Sequence, residues 1–109
     1  MASSERYKEN IVNLTIDTAQ IYNLTARNFK YKDTTEKIPN ADGTAEVDRV
    51  SVGENSFGYI AEEVNSILPD LVGLDSDNQP NTVNYKLLSV LLLEELKKLK
   101  ARVDILESA

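Results

Sequence analysis

Tyr85-Lys86-Leu87-Leu88-Ser89-Val90-Leu91-Leu92-Leu93-Glu94-Glu95-Leu96-Lys97-Lys98-Leu99-Lys100-Ala101-Arg102-Val103-Asp104-Ile105-Leu106 carries more apolar surface than a small domain can cover. Tyr85, Ser89, Leu92, Leu96, Leu99, Val103 and Leu106 follow the alternating four-three spacing of a heptad seam. Leu88, Leu91 and Leu93 widen the apolar face in the first half, and the second half narrows to one stripe. Such a change is expected where a buried helix runs out into a coiled coil. Packing on its own domain is the plainer reading of any amphipathic helix, but little body remains here to cover the stripe. A self-association helix over residues 84–107 is therefore predicted, with Glu94 and Lys98 as an oriented i,i+4 pair on its outer face. The mixture of Leu and Val leaves the number of helices open.

Upstream of the helix, Thr82-Val83-Asn84-Tyr85 reads as extended, and Leu71, Val72 and Leu74 as a short strand before a turn over Asp75 to Asn81. Gly58-Tyr59-Ile60-Ala61-Glu62-Glu63-Val64 opens a helix with Ile60, Val64 and Ile67 or Leu68 on one face, and Pro69 stops it. Residues 33–53 turn polar around Pro39 and the Asn40 to Gly43 turn, with Val47, Val50 and Val52 returning. This pattern predicts a projecting hairpin-like arm with little core of its own. Asn28 to Lys32 alternates like a half-exposed strand, and Asp17 is placed to cap a short helix presenting Ile21 and Leu24. Ile11, Val12, Leu14 and Ile16 suit a strand or an extended arm. The fold class is α+β: a small body of short strands and helices, a projecting arm and a long C-terminal helix, all in one domain spanning 1–109.

Bulk composition narrows the function. A net charge of -6 argues against non-specific binding to nucleic acid or to an anionic membrane surface. The densest apolar run, Leu87 to Leu93, is interrupted by Ser89 and ended by Glu94 and Glu95, far short of a membrane span. The opening residues are polar and show no secretory pattern. The chain contains neither histidine nor cysteine, which removes every His-assisted or thiol-based hydrolase arrangement. A Ser-Lys pair is the remaining apparatus for peptide chemistry.

Ser3-Ser4-Glu5-Arg6-Tyr7-Lys8-Glu9-Asn10-Ile11 holds such a pair. A serine hydroxyl is a poor nucleophile until a base takes its proton, and a lysine is a base only when neutral, which demands desolvation or nearby positive charge. Arg6 is close enough in sequence to Lys8 to supply that charge. Spacing alone makes the pair unremarkable, since a solvated terminus offers the same residues. Other clusters are weaker. Asp75-Ser76-Asp77-Asn78-Gln79 starts like a calcium loop, but Pro80 and Lys86 stand where glycine and glutamate belong. Lys97, Lys98, Lys100 and Arg102 are interleaved with acids and read as a solvated coiled-coil flank. Glu62 and Glu63 point apart as neighbours on a helix and read as surface or N-terminal charges. No metal or cofactor is implied.

Four segments in order resemble the C-terminal intramolecular chaperone auto-processing domain of bacteriophage tailspikes, tail fibres and neck appendages, related also to a domain of membrane-bound transcription factors of the myelin regulatory factor type. The family opens Ser-Asp-x-Arg-x-Lys-x-x-Ile, matched by Ser3 to Ile11. Its Gly-x-Ile-Ala-Gln-Glu-Val start and Pro-Glu-Leu-Val turn are matched by Gly58 to Val64 and by Pro69-Asp70-Leu71-Val72. Its Val-Asn-Tyr entry to a Leu-rich helix is Val83-Asn84-Tyr85.

The resemblance implies a homotrimer that brings an upstream β-structural fibre or spike of its own precursor into register and then cuts itself off. It implies Ser3 as nucleophile, Lys8 as general base and Ala2-Ser3 as the scissile bond. The arm at 33–53 would reach toward the fibre. Action in the host cytoplasm during virion assembly and absence from the mature virion follow from the same likeness. Only Met1 and Ala2 precede the motif, so the chain is expected to correspond to the released product. Two departures stand out: Ser4 replaces aspartate and is a second-choice nucleophile, and Glu62 replaces glutamine. The alternatives are a trimerisation and capping module that never cuts, or the equivalent self-cleaving domain of a transcription factor precursor.

Overall fold

In the computed structural model of the chain, which describes residues 2–109, the strands β1 (Arg27–Lys30), β2 (Thr34–Pro39), β3 (Glu46–Ser51) and β4 (Asn55–Gly58) come first. Helix α1 (Ala61–Asn65), β5 (Val72–Leu74), β6 (Pro80–Val83) and helix α2 (Tyr85–Glu107) follow. Met1 lies outside the described residues. Short 3-10 segments occupy Glu5–Tyr7, Thr18–Asn23 and Pro69–Leu71. The architecture is α+β, with short antiparallel strands and a long C-terminal helix.

Asn84 starts α2 and ties it to the body. Its side chain accepts a hydrogen bond from the Leu87 amide at 3.0 Å, and its own amide donates to the Leu71 carbonyl at 2.7 Å. The helix therefore leaves the body beside the Pro69–Leu71 turn, where Pro69 both ends the α1 region and opens the next turn. Val64, Leu68, Leu71, Leu88 and Leu91 meet there as the buried core, with Ile16, Ile21, Leu24, Tyr59 and Leu87 packed around them. So small a core makes each member costly to lose. Leu91 is wholly buried, and Leu91→Ala is expected to destabilise the chain by about 2–5 kcal/mol, read as a shifted urea midpoint at unchanged slope.

The strands form three separate two-stranded antiparallel sheets. β1 and β4 pair from Arg27↔Gly58 to Lys30↔Asn55, and β2 and β3 continue the same excursion outward from Thr34↔Ser51 to Pro39↔Glu46. A joint divides the two ladders. The Asp33 carboxylate accepts from the Gly53 amide at 2.9 Å and from the Lys30 ammonium at 2.8 Å. Those two bonds hold its carboxyl pKa below the ordinary aspartate value, Lys30 contributing most. Glycine is required at 53, because a Cβ there would run into the Tyr31 carbonyl. Beyond the joint only Ile38 is even half-buried among the strand residues. Lys37–Asp48 at 2.7 Å and Arg49–Glu36 at 3.5 Å bridge the ribbon, and exposed pairs of this kind stabilise little. A two-stranded ribbon without an apolar face is marginal by itself.

The predicted arm is thus a hairpin, and the predicted helix at Asp17 is a 3-10 turn whose cap is as expected: the Asp17 carboxylate accepts from the Ala19 amide at 3.3 Å. Ile11 to Leu14 form no strand and run as an exposed, irregular arm.

The chain measures 79 × 36 × 22 Å with a radius of gyration of 21.7 Å, against about 13 Å for a compact domain of this length. The excess reflects α2 as well as the hairpin. Every residue of α2 after Glu95 is exposed, so its C-terminal half projects as a stalk, touched by the body at Lys98. Leu92, Leu96, Leu99, Val103 and Leu106 are 41–74% exposed along it. On an ideal helix this seam lies roughly a quarter turn from the body-facing Leu88, Leu91 and Glu95. The body covers one face of α2 and also holds Tyr85 at the start of the seam, whose hydroxyl accepts from the Tyr59 amide at 3.1 Å, leaving the seam exposed from Leu92 onward.

Candidate functional site

A serine and a lysine five positions apart need a tight turn to meet, and Ser4 provides it. Its hydroxyl accepts from the Arg6 amide at 3.4 Å, capping the Glu5–Tyr7 turn, while its carbonyl accepts from the Tyr7 amide at 3.1 Å. The Lys8 amide then donates to the Glu5 carbonyl at 2.9 Å. This single turn returns Lys8 to Ser3, and the Lys8 ammonium donates to the Ser3 hydroxyl oxygen at 2.9 Å. With the amine neutral, the same contact reverses and the hydroxyl donates to it, which is the geometry a general base requires. Serine ranks high among N-caps, and Ser4 fills that role here. Its hydroxyl is engaged there, and Lys8 is bonded to Ser3 rather than to Ser4.

The expected help from Arg6 takes another form. Its guanidinium lies 4.7 Å from the centre of the Tyr7 ring, a cation–π stack. Ser3, Lys8 and the neighbouring Ala2 are all exposed in the single chain. So are Tyr7, Ile11 and Val12, which at 63%, 66% and 80% present apolar side chains to water on the same arm. Asn10 turns the arm through a left-handed conformation with φ 53°.

Downstream, the arm meets the stalk at a polar cluster that sequence reasoning missed. The Thr18 hydroxyl donates to Glu95 Oε1 at 2.6 Å and accepts from the Lys98 ammonium at 2.8 Å. Lys98 also reaches Glu95 Oε1 at 3.2 Å. The predicted Glu94–Lys98 pair is therefore corrected. Lys98 turns toward the body, where Thr18 and Glu95 offer it oxygens, and Glu94 pairs with Lys97 at 3.4 Å instead.

The Thr18 hydroxyl, then Lys98 and Tyr22, hold the Glu95 carboxyl below its ordinary value against the opposing effect of burial. A carboxyl with a lowered folded value stabilises the fold above the ordinary glutamate range and loses that share as pH falls through the folded value. The urea midpoint of Glu95→Gln should consequently lie below the parent's at pH 7. The gap should shrink as the pH falls below about 4.3, the ordinary glutamate range.

The remaining candidates are structural. Glu63 has the partner that the sequence did not disclose: Arg27 donates to both of its oxygens at 3.0 Å, joining β1 to α1. Arg27 accordingly lowers the Glu63 carboxyl. Asp75 accepts from the amides of Asp77 and Gln79 at 2.8 and 3.0 Å and shapes a turn. Phe29, Tyr31, Phe57, Tyr59 and Tyr85 border an open hollow of about 830 Å³. It contains no nucleophile–base pair, and its lining suits packing.

A peptidase family model described as chaperone of endosialidase matches residues 3–73, beginning at Ser3 and running into β5. No curated protein matches the chain.

Proposed function

Since this chain belongs to the chaperone-of-endosialidase family, we propose that it is a homotrimeric intramolecular chaperone which aligns an upstream phage fibre or spike and then releases itself by cutting before Ser3. The observation that carries this reading is the 2.9 Å contact between Lys8 and Ser3, formed at the start of the family match.

The chemistry follows from that contact. Neutral Lys8 takes the hydroxyl proton as Ser3 Oγ attacks the carbonyl carbon of Ala2. The tetrahedral intermediate collapses with cleavage of the Ala2–Ser3 C–N bond, and Lys8 returns the proton to the departing amine of Ser3. The resulting ester between Ala2 and Ser3 Oγ is hydrolysed by water, leaving a carboxylate on Ala2 and restoring the serine. Exposure of the pair in one chain argues that assembly controls this reaction. A neighbouring copy packed on Tyr7, Ile11 and Val12 would exclude water and favour the neutral amine.

Assembly also explains the chaperone role. Three long chains must be brought into register before their native contacts return any free energy. A trimer held by the bare seam of α2 raises their local concentration at one end. Removing it afterwards leaves the fibre protected by a kinetic barrier. The hairpin, which lacks a core of its own, is the element placed to touch the client.

Intact mass and sedimentation on a precursor carrying an upstream β-rich segment test the reading. A trimer that loses everything before Ser3 supports it. A trimer that stays full length leaves a clamp without a protease, and a monomer overturns the assembly.

A further inference from the structure

Thr18 and Glu95 are the buried polar residues among those described, at 4% and 7% exposure, and they are bonded to each other across 77 positions of sequence. Their place in the fold gives the contact a consequence for the Ser-Lys turn. Between Lys8 and Thr18 the chain has no regular secondary structure, and Ile16 is its only half-buried residue. Ile16, packed against the core, and Thr18, buried and hydrogen-bonded, are thus the first held points downstream of Lys8. Glu95 is the last residue of α2 covered by the body, where the stalk begins. Lys98, one turn further on, closes the cluster from the stalk side.

A leucine at position 95 facing a valine at 18 would satisfy packing at lower desolvation cost, since buried ionic groups seldom add net stability over apolar ones of similar volume. What the polar cluster adds is geometry. The Thr18 hydroxyl donates once and accepts once, in fixed directions, to two side chains three positions apart on one helix. That bonding pattern permits one placement of the arm along α2, whereas apolar packing tolerates sliding.

We propose that Thr18, Glu95 and Lys98 form a latch that fixes the arm bearing Ser3 and Lys8 at one height on the stalk, making Thr18 and Glu95 positioning residues for self-cleavage. The proposal rests on the self-cleaving function argued above. In an assembled trimer the latch places each Ser-Lys turn at the same level relative to the neighbouring copies, so that the three sites are completed alike.

The test compares precursor carrying the upstream segment as parent, Thr18→Val, Thr18→Ser and Lys98→Met. Cleavage is followed by intact mass, trimer content by sedimentation and stability by melting. The chain has no cysteine, so spin labels at Asn13→Cys and Lys97→Cys, which border one groove beside Thr18, report the arm-to-stalk distance. Labelled chains are diluted among unlabelled ones.

Thr18→Val is expected to stay trimeric, cleave at least tenfold more slowly and show a broadened distance distribution. Thr18→Ser should restore both the rate and the narrow distribution. Cleavage of Thr18→Val at the parent rate overturns the latch and leaves the self-cleaving function standing. A parent that never cuts overturns the self-cleaving function, and the positioning role with it. If Thr18→Val fails to assemble, Lys98→Met decides: it leaves Thr18 one of its two bonds to α2, and a parent rate with a parent distance distribution there overturns the two-bond latch.

Discussion

A Ser3→Ala precursor is expected to accumulate as an uncut trimer. Loss of a serine nucleophile costs on the order of 10⁶-fold in rate, which in an intact-mass spectrum is no product at all. The substitution removes one exposed hydroxyl and touches no part of the core, so assembly and melting should match the parent. Lys8→Ala should also block release, by about 10²–10⁴-fold for a lost general base. Lys8→Arg separates chemistry from charge. A guanidinium keeps the positive charge and can still donate to Ser3, but it does not surrender its proton at any working pH. Arginine should therefore be as inactive as alanine, and a Lys8→Arg precursor that cuts would overturn the assignment of Lys8 as base.

Ser4 provides a second separation. Its hydroxyl caps the turn that brings Lys8 to Ser3, so removing it weakens the geometry without removing the nucleophile. Ser4→Asp restores a good cap and should release at least as fast as the parent with the same new N-terminus. A product beginning at residue 4 in any variant would transfer the nucleophile's role to Ser4.

Elements whose signals are local were legible in the sequence. The α2 seam repeats over several turns, Asp17 caps the turn that follows it, and the Asn40 to Gly43 turn closes the hairpin. Contacts decided by tertiary placement were not legible. Glu94 and Lys98 have ideal spacing for a helix pair, yet Lys98 bonds Thr18 and Glu95 because a body approaches that side of the helix. Neither the Thr18–Glu95 bond nor the Arg27–Glu63 fork has a local signature, since their partners lie 77 and 36 positions apart. The site falls between these cases. Ser3 and Lys8 were singled out by the family resemblance, because five-residue spacing alone is common. The local signal for their meeting is a serine at position 4 that can cap a turn, a role read from the sequence only as a competing hydroxyl.

Leu96→Glu combined with Leu99→Glu is expected to convert the proposed trimer to monomers. Both side chains are more than half exposed in the single chain, at 60% and 51%, and neither contributes to the buried core. The body should therefore fold around Leu71 and Leu91 as before. In a trimer each buried leucine contributes about 1.5–3 kcal/mol, and three copies lose two apiece. That loss rivals the whole net stability of a small domain, roughly 5–15 kcal/mol, and six carboxylates gathered near one axis repel each other as well. Lys97→Ala is the control: it lies away from the seam, and its contact to Glu94 at 3.4 Å is exposed. Sedimentation equilibrium should give a monomer for the double variant and a trimer for the control. A double variant that still assembles would place the interface elsewhere, with the aromatic hollow beside Tyr85 the next surface to alter. The monomer should also fail to cut although its Ser3 and Lys8 remain in one turn, because nothing then covers the arm on which they sit. Cleavage by the monomer would show that the 2.9 Å contact suffices by itself and that release does not wait for assembly.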